Sequence, residues 1–339
     1  MYVGGMERQD LARVAAQYWE SAALNAAVQV GLFAALSEGA KDTASLIESL
    51  DVSEPHVESL LEALWAMDVV GQEEGLWRVA PSLASALDPD SADSLLPVLA
   101  FNGDLFGLWG QLPGTVRSGK PPVPDNPHLG VDADRTRRFV RGMHSRGSLY
   151  AEALAGAIDL GGVQRLLDVG GGPGTFAVAL AHKNPQVSIT IFDLPAVVEV
   201  AAELQESHPA RQQVQFEAGS YHDDSLPGGH DALLYVGAMH QETREGARAL
   251  FTRFFDTLPT GAPCWIVDLM LDPGRKGPAF SALFGVNMLL MRPTARMWAV
   301  DEVQALLEDV GFSTEASGAI PNTPYQFVHA VKPDRNEVG

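Results

Sequence analysis

The stretch RLLDVGGGPGTFAVAL, residues 165–180, constrains the fold more than any other part of the chain: an apolar run ends in an acid, four glycines follow within five positions, and a helical pattern begins. A short apolar run that turns through bare backbone into a helix is the opening of a strand–turn–helix unit. In an open parallel sheet such a turn lies at the carboxyl end of the strand, where ligands bind. A dinucleotide fingerprint requires Gly or Ala three residues after the second glycine. Gly170 and Gly172 are followed there by Thr175, so that reading fails. A phosphate loop would need Gly-Lys-Ser or Gly-Lys-Thr, which this turn lacks.

Downstream the chain keeps alternating. A helix is expected over 174–183, a strand at VSITIFD, a helix over 195–207, strands at QVQFEA and DALLYV, and a helix over 243–258. A strand at PCWIVDLM, a helix over 301–310 and a strand at YQFVHAV complete the series. Strands interleaved with helices predict an α/β fold, a mostly parallel sheet with helices on both faces.

The first hundred residues read differently. Residues 7–38 carry apolar residues at helical spacing and predict two helices or one bent one. DTASLIESL and SEPHVESLLEALWAMDVV follow, with Asp42 or Thr43 and then Ser53 as capping candidates and Pro55 in the first turn of the second. VVGQEEGLWRVAP predicts two short strands around a turn. Helices followed by a hairpin are the order of a winged helix. Its charge excludes a nucleic-acid role: residues 1–100 hold 16 acids against 4 Lys or Arg, a net of −12, within a chain of net −20. The same field argues against anionic membranes, and no run of 18 apolar residues is present. The domain is expected to bury its apolar helices against a second copy. With a single cysteine, Cys264, and no signal-peptide pattern, the chain is expected in the cytoplasm.

Asp168-x-Gly170-x-Gly172-x-Gly174 resembles the first motif of the class I S-adenosylmethionine-dependent methyltransferases, and Asp193 ends the second strand, where it can accept hydrogen bonds from ribose hydroxyls. The winged-helix start, LLDVGGGPGT, IFDLPAVVEVA, MHQET, IVDLMLD, NMLLM and LLEDVGF extend the likeness over roughly residues 10–332. Together they resemble the plant caffeate-type O-methyltransferases and their bacterial relatives, which include bacteriochlorophyll, carotenoid and anthracycline-tailoring enzymes. The resemblance implies a class I Rossmann-like catalytic domain over 161–335, a winged-helix dimerisation domain over 1–100, and a helical linker over 101–160 contributing to a substrate pocket. It implies a homodimer, S-adenosyl-L-methionine as cofactor with S-adenosyl-L-homocysteine as product, and a small aromatic or polyketide-like acceptor.

Residue by residue, the resemblance gives His240 as general base and Asp268 as the acid that orients it. It gives Asp168, Gly170, Gly172, Gly174, Asp193, Leu194, Gly219, Ser220, Tyr221 and Arg146 to the cofactor. Phe106, Trp109, Phe139, Met143, Met239, Phe284, Asn287, Met288 and Met291 fall to the substrate pocket. Three positions depart from the family pattern: His240-Gln241-Glu242 stands for His-Asp-Trp, Gly219-Ser220 for the Gly-Asp pair that meets the adenine amine, and no acid is found near Met297, where a second Glu would support the base. Transfer to carbon or nitrogen, a non-methylating hydroxylase or cyclase, and a cofactor-sensing regulator stay open as alternatives. His240, Glu242, His222 and Asp223 are too sparse to predict a metal site.

Overall fold

The computed structural model describes residues 5–123 and 132–334. It divides into two compact units, the first ending at Gly107 and the second beginning at Leu108. The divide falls inside the helix Leu96–Trp109.

In the first unit, residues 7–38 form three helices, Arg8–Ala16, Tyr18–Gln29 and Leu32–Ser37, one more than the apolar spacing suggested. The break before the third is at Gly31, whose left-handed φ of 79° ends the helical path. Asp42 caps Thr43–Leu50 by accepting from the Ser45 N–H at 2.8 Å. Ser53 precedes the helix Glu54–Ala66 but makes no backbone cap; its Oγ lies 3.0 Å from His56 Nδ1, and Pro55 sits in the first turn. Strands β1 (Val70–Glu73) and β2 (Leu76–Val79) pair antiparallel, and Lys41 bridges to Trp77. Leu32, Phe33, Leu46, Leu61 and Leu64 are wholly or almost wholly buried between these elements. Each such side chain contributes roughly 1.5–3 kcal/mol of burial, so the unit has a core of its own.

The second unit is built on a seven-stranded sheet of β3 (Arg165–Val169), β4 (Ser188–Asp193), β5 (Val214–Ala218), β6 (Ala232–Val236), β7 (Pro263–Asp268), β8 (Ser313–Ala319) and β9 (Gln326–Val331). Their spatial order is β5-β4-β3-β6-β7-β9-β8. The first five are parallel; β9 runs antiparallel to both β7 and β8. On one face Leu166, Ile189, Ile191 and Leu234 pack with Leu154 and Leu180 of the helices Ala151–Ala157 and Thr175–Lys183. On the other, Leu167, Val169, Leu233 and Ile266 pack with Phe251, Phe254 and Leu307 of the helices Arg244–Thr257 and Val300–Val310. Two-sided burial explains why RLLDV and ALLYV read as unbroken apolar runs.

Two elements were not anticipated. β8 is STEASGA, an edge strand with no buried residue and therefore no apolar signature. The helix Ala279–Leu289 is apolar around most of its circumference and shows no stripe. Strand order reverses between β3 and β6, which opens a crevice at their carboxyl ends. The glycine turn, Asp193, Gly219 and Gly237 all lie at that edge.

Candidate active site

The glycine turn follows β3 and is held from three sides. Gly172 N–H donates to Asp193 Oδ2 at 2.8 Å, and Gly170 N–H to the Phe192 carbonyl at 2.8 Å. Gln205 Nε2 donates to the Pro173 carbonyl at 2.8 Å. Packing is tightest beneath Gly171, where an added Cβ would stand 2.5 Å from Asp168 Oδ2 and 3.0 Å from Ile191 Cγ2. Gly172, at φ +55°, is the opposite case: its missing Cβ would meet nothing within 4 Å. Gly170 and Gly174 are left-handed as well, and the Tyr221 ring lies against Gly170, 3.1 Å from where a Cβ would be.

Two buried carboxyls support this turn. Burial, reinforced by the Asp193 charge, pushes Asp168 up to about 8, and its Oδ1 has no hydrogen-bond partner among the described residues. Burial pushes Asp193 up to about 6, although the N–H groups of Gly172 and Leu194 pull it back. Past β5, Gly219 leaves no room for a side chain beside the Phe192 ring. Ser220 Oγ donates to Asp223 Oδ2 at 2.9 Å, and the Ser220 N–H to Asp224 Oδ2 at 2.8 Å.

His240 lies in the short helical turn Met239–Gln241 after β6, and Asp268 ends β7. The Asp268 carboxylate is 3.0 and 3.1 Å from His240 Nδ1, and it accepts from the His240 N–H at 3.0 Å and the Leu269 N–H at 2.7 Å. Burial pushes Asp268 up, but the His240 charge and these hydrogen bonds outweigh it and hold the carboxyl below its ordinary value. With Nδ1–H donating to Asp268, the imidazole lone pair is at Nε2. Phe284 meets the His240 ring edge to face, centroids 4.9 Å apart.

Other expected site residues are distributed as follows. Trp109 Nε1 donates to Asn287 Oδ1 at 3.1 Å, while Met288, on the same helix as Asn287, and Met291, just past its end, are nearly buried. Met239 is fully buried in the core under the sheet. Phe139 and Leu194 pack together against Val140, Val197 and Val200; Met143 is half-buried one turn on from Phe139. Arg146 is half-buried on that helix, Ala133–Ser148, within electrostatic reach of Tyr325 and Tyr150, and burial lowers its pKa. His144, two residues earlier, meets Thr175 Oγ1 at 2.8 Å, which fixes the helix on the end of the glycine turn. Phe106 belongs to the first unit and is exposed there.

A family model described as the O-methyltransferase domain matches residues 127–313, and one described as the O-methyltransferase dimerisation domain matches residues 12–87. The chain belongs to the O-methyltransferase family. This O-methyltransferase is similar to the 3-hydroxy-5-methyl-1-naphthoate 3-O-methyltransferase of Streptomyces sahachiroi, 32% identical over 83% of this chain and 82% of that protein. It is 26% identical to the N,N-dimethyltransferase OxyT of Streptomyces rimosus over 96% of this chain and 97% of that one. Its fold is that of human N-acetylserotonin methyltransferase, solved in complex with SAM, with a TM-score of 0.86 at 24% identity, covering 98% of this chain and 100% of that one.

Sequence reasoning did not single out Gln205, buried and bonded to the glycine turn, or the deep burial of Glu242. Gln205 follows a helix as an ordinary polar residue, so no local pattern marks it.

Proposed function

We propose that this enzyme transfers a methyl group from S-adenosyl-L-methionine to a hydroxyl of a small aromatic or polyketide-like acceptor, releasing S-adenosyl-L-homocysteine, with His240 as general base. The observation that carries the reading is the buried His240–Asp268 pair, in which one carboxylate binds both Nδ1 and the main-chain N–H of the histidine and leaves Nε2 for a proton.

The residues at the sheet edge fit the cofactor. Gly172 and Gly237 are both left-handed and face open space, a cradle that a Cβ would fill, and Asp193 stands buried between them and β5. The backbone of Gly170, Gly172 and Gly174 would pass along the methionine and ribose portion, Asp193 would take ribose hydroxyls, Leu194 and Tyr221 would flank the base, and Arg146 would meet the methionine carboxylate. When bound, S-adenosylmethionine supplies an activated methyl group on a sulfonium.

His240 Nε2 takes the acceptor proton as the oxygen attacks. Asp268 is ionised at neutral pH, so it keeps the imidazole in the correct tautomer and stabilises the cation that forms. Alignment of acceptor and methyl group supplies the larger part of the rate, because in-line displacement depends on geometry. Phe284, held edge-on to the base, with Met288 and Met291, favours a flat apolar acceptor. The hydroxynaphthoate named for the Streptomyces sahachiroi relative is such a ring. The name of OxyT supports transfer to nitrogen as a second reading.

The reading extends to a cytoplasmic homodimer formed through the first unit. No described helix is long and apolar enough to cross a membrane.

The test is label transfer from methyl-labelled S-adenosylmethionine to a panel of hydroxylated and aminated naphthoates and polyketides, wild type against His240→Ala, with the labelled position fixed by NMR. Label on oxygen, much reduced in the variant, is expected. Label on nitrogen would replace the first reading by the second; cofactor binding without transfer to any acceptor would reject both.

A further inference from the structure

Three side chains that the methyl-transfer step does not use meet behind the glycine turn. His144 comes from the helix Ala133–Ser148, Thr175 opens the helix that follows the turn, and Gln205 caps the end of the helix Pro195–Leu204. Thr175 is 5% and Gln205 2% exposed, so their polar atoms must be satisfied inside the protein. His144 Nδ1 lies 2.8 Å from Thr175 Oγ1 and 3.4 Å from Gln205 Nε2, and Gln205 Nε2 also donates to the Pro173 carbonyl at 2.8 Å. The Gln205 stem runs beneath Gly174, its Cγ 3.6 Å from where a Cβ would stand.

The bonding fixes the state of the histidine. A carbonyl only accepts, so the Gln205 atom facing Pro173 is the amide nitrogen, and the same nitrogen turns a hydrogen toward His144. Nδ1 is therefore the acceptor, the Thr175 hydroxyl is its closer donor, and the ring proton is on Nε2. That is the opposite tautomer to His240, whose Nδ1–H faces Asp268. Burial, with the His208 and Arg141 charges adding to it, lowers the His144 pKa and keeps the ring neutral at pH 7. Apolar side chains would join these elements equally well; a satisfied polar network instead admits one arrangement of them. What it arranges is the glycine turn, gripped at Pro173 and Thr175, against a helix that carries Arg146 one half-turn past His144. Gly147 of that helix rests on Thr175, a Cβ there standing 3.5 Å from the Thr175 side chain.

We propose that His144 and Gln205 are positioning residues for the cofactor: as one hydrogen-bonded unit they set the glycine turn in register with the helix that carries Arg146. The inference rests on the cofactor reading given above and deepens it, by assigning part of the affinity to side chains behind the turn.

The experiment measures S-adenosylhomocysteine affinity of the full-length chain by calorimetry, well below Tm, where a loss of stability alone leaves the dissociation constant unchanged. His144→Leu should bind roughly tenfold more weakly than wild type, the worth of one good hydrogen bond. His144→Asn, whose Oδ1 takes the place of Nδ1 as acceptor, should stay within a few-fold of wild type. Gln205→Met should also lose roughly tenfold, and the double variant His144→Leu with Gln205→Met should be little weaker than either single change, because members of one network are not additive. Nitrogen NMR of the wild type, with the His144 signals identified by their absence from His144→Asn, should show an unprotonated Nδ1. Wild-type affinity in His144→Leu, an asparagine variant as weak as the leucine one, a double variant weakened by the product of the single losses, or a proton on Nδ1 would each overturn the proposal and leave the cofactor reading intact. Failure of the wild type to bind S-adenosylhomocysteine would overturn both.

Discussion

Asp268 and Asp168 are both wholly buried at strand ends, and their surroundings drive them in opposite directions. Asp268 accepts from His240 and two main-chain N–H groups and is held down; Asp168 has an orphan oxygen and a carboxylate neighbour and is pushed up to about 8. The first arrangement keeps a base oriented. His240→Ala is expected to lower kcat by roughly 10²–10⁴-fold while the calorimetric affinity for S-adenosylhomocysteine stays within a few-fold of wild type; loss of both together would mean that His240 is structural. The second arrangement predicts a pH dependence of stability. A carboxyl raised in the folded state binds a proton that the unfolded chain, titrating near 3.9, has released, so stability declines as pH rises through the window from about 4 to about 8. Asp168→Asn removes that slope. Urea unfolding of the ligand-free protein at pH 5 and pH 8 should show the variant gaining on wild type by on the order of a few kcal/mol at the higher pH; parallel curves would contradict the assignment.

The strand–turn–helix of β3 and the helix Thr175–Lys183 separates two jobs that neighbouring glycines do. At Gly171 a methyl group would collide with Asp168 and Ile191, so Gly171→Ala should cost stability, roughly 1–3 kcal/mol, and lower Tm. At Gly172 a methyl group meets open space, leaving only the left-handed backbone cost of about 1–2 kcal/mol, yet it would occupy the cradle. Gly172→Ala is therefore expected to abolish S-adenosylhomocysteine binding with the smaller loss of Tm, and the pair of melting and calorimetry measurements separates the two. This element was legible in the sequence because alternating glycines between an apolar run and a helix leave few other structures, and the central strands were legible because two-sided burial makes them uniformly apolar. β8 was not, since an exposed edge strand has nothing to bury, and neither was the helix Ala279–Leu289, whose apolar surface lacks a period. At the site, His240 and Asp268 were found through family position; their hydrogen bonds, and the burial of Glu242 beside His222, join segments up to 28 residues apart and have no local sequence signal.

On the scale of the whole molecule, the first unit exposes an apolar row that a lone chain has no reason to keep. Leu11, Val14 and Tyr18 recur at helical spacing and are 63%, 42% and 58% exposed, with Trp19 beside them at 64%. The family model for residues 12–87 is described as a dimerisation domain, which fits a second copy as the cover. Charge works against that association, because each chain carries −20 and its first hundred residues −12. The attraction must then come from apolar burial, and screening the repulsion should strengthen it: the Debye length shrinks from about 30 Å at 0.01 M salt to about 10 Å at 0.1 M. Sedimentation equilibrium is expected to give a dimer that tightens between 0.01 and 0.3 M salt, opposite to an interface built on ion pairs. Leu11→Asp combined with Trp19→Asp should shift it to monomer at the same concentrations. Each change removes roughly 1.5–3 kcal/mol of burial per protomer and counts twice across a symmetric interface. A dimer that weakens with salt, or one indifferent to both substitutions, would place the contact elsewhere on the chain.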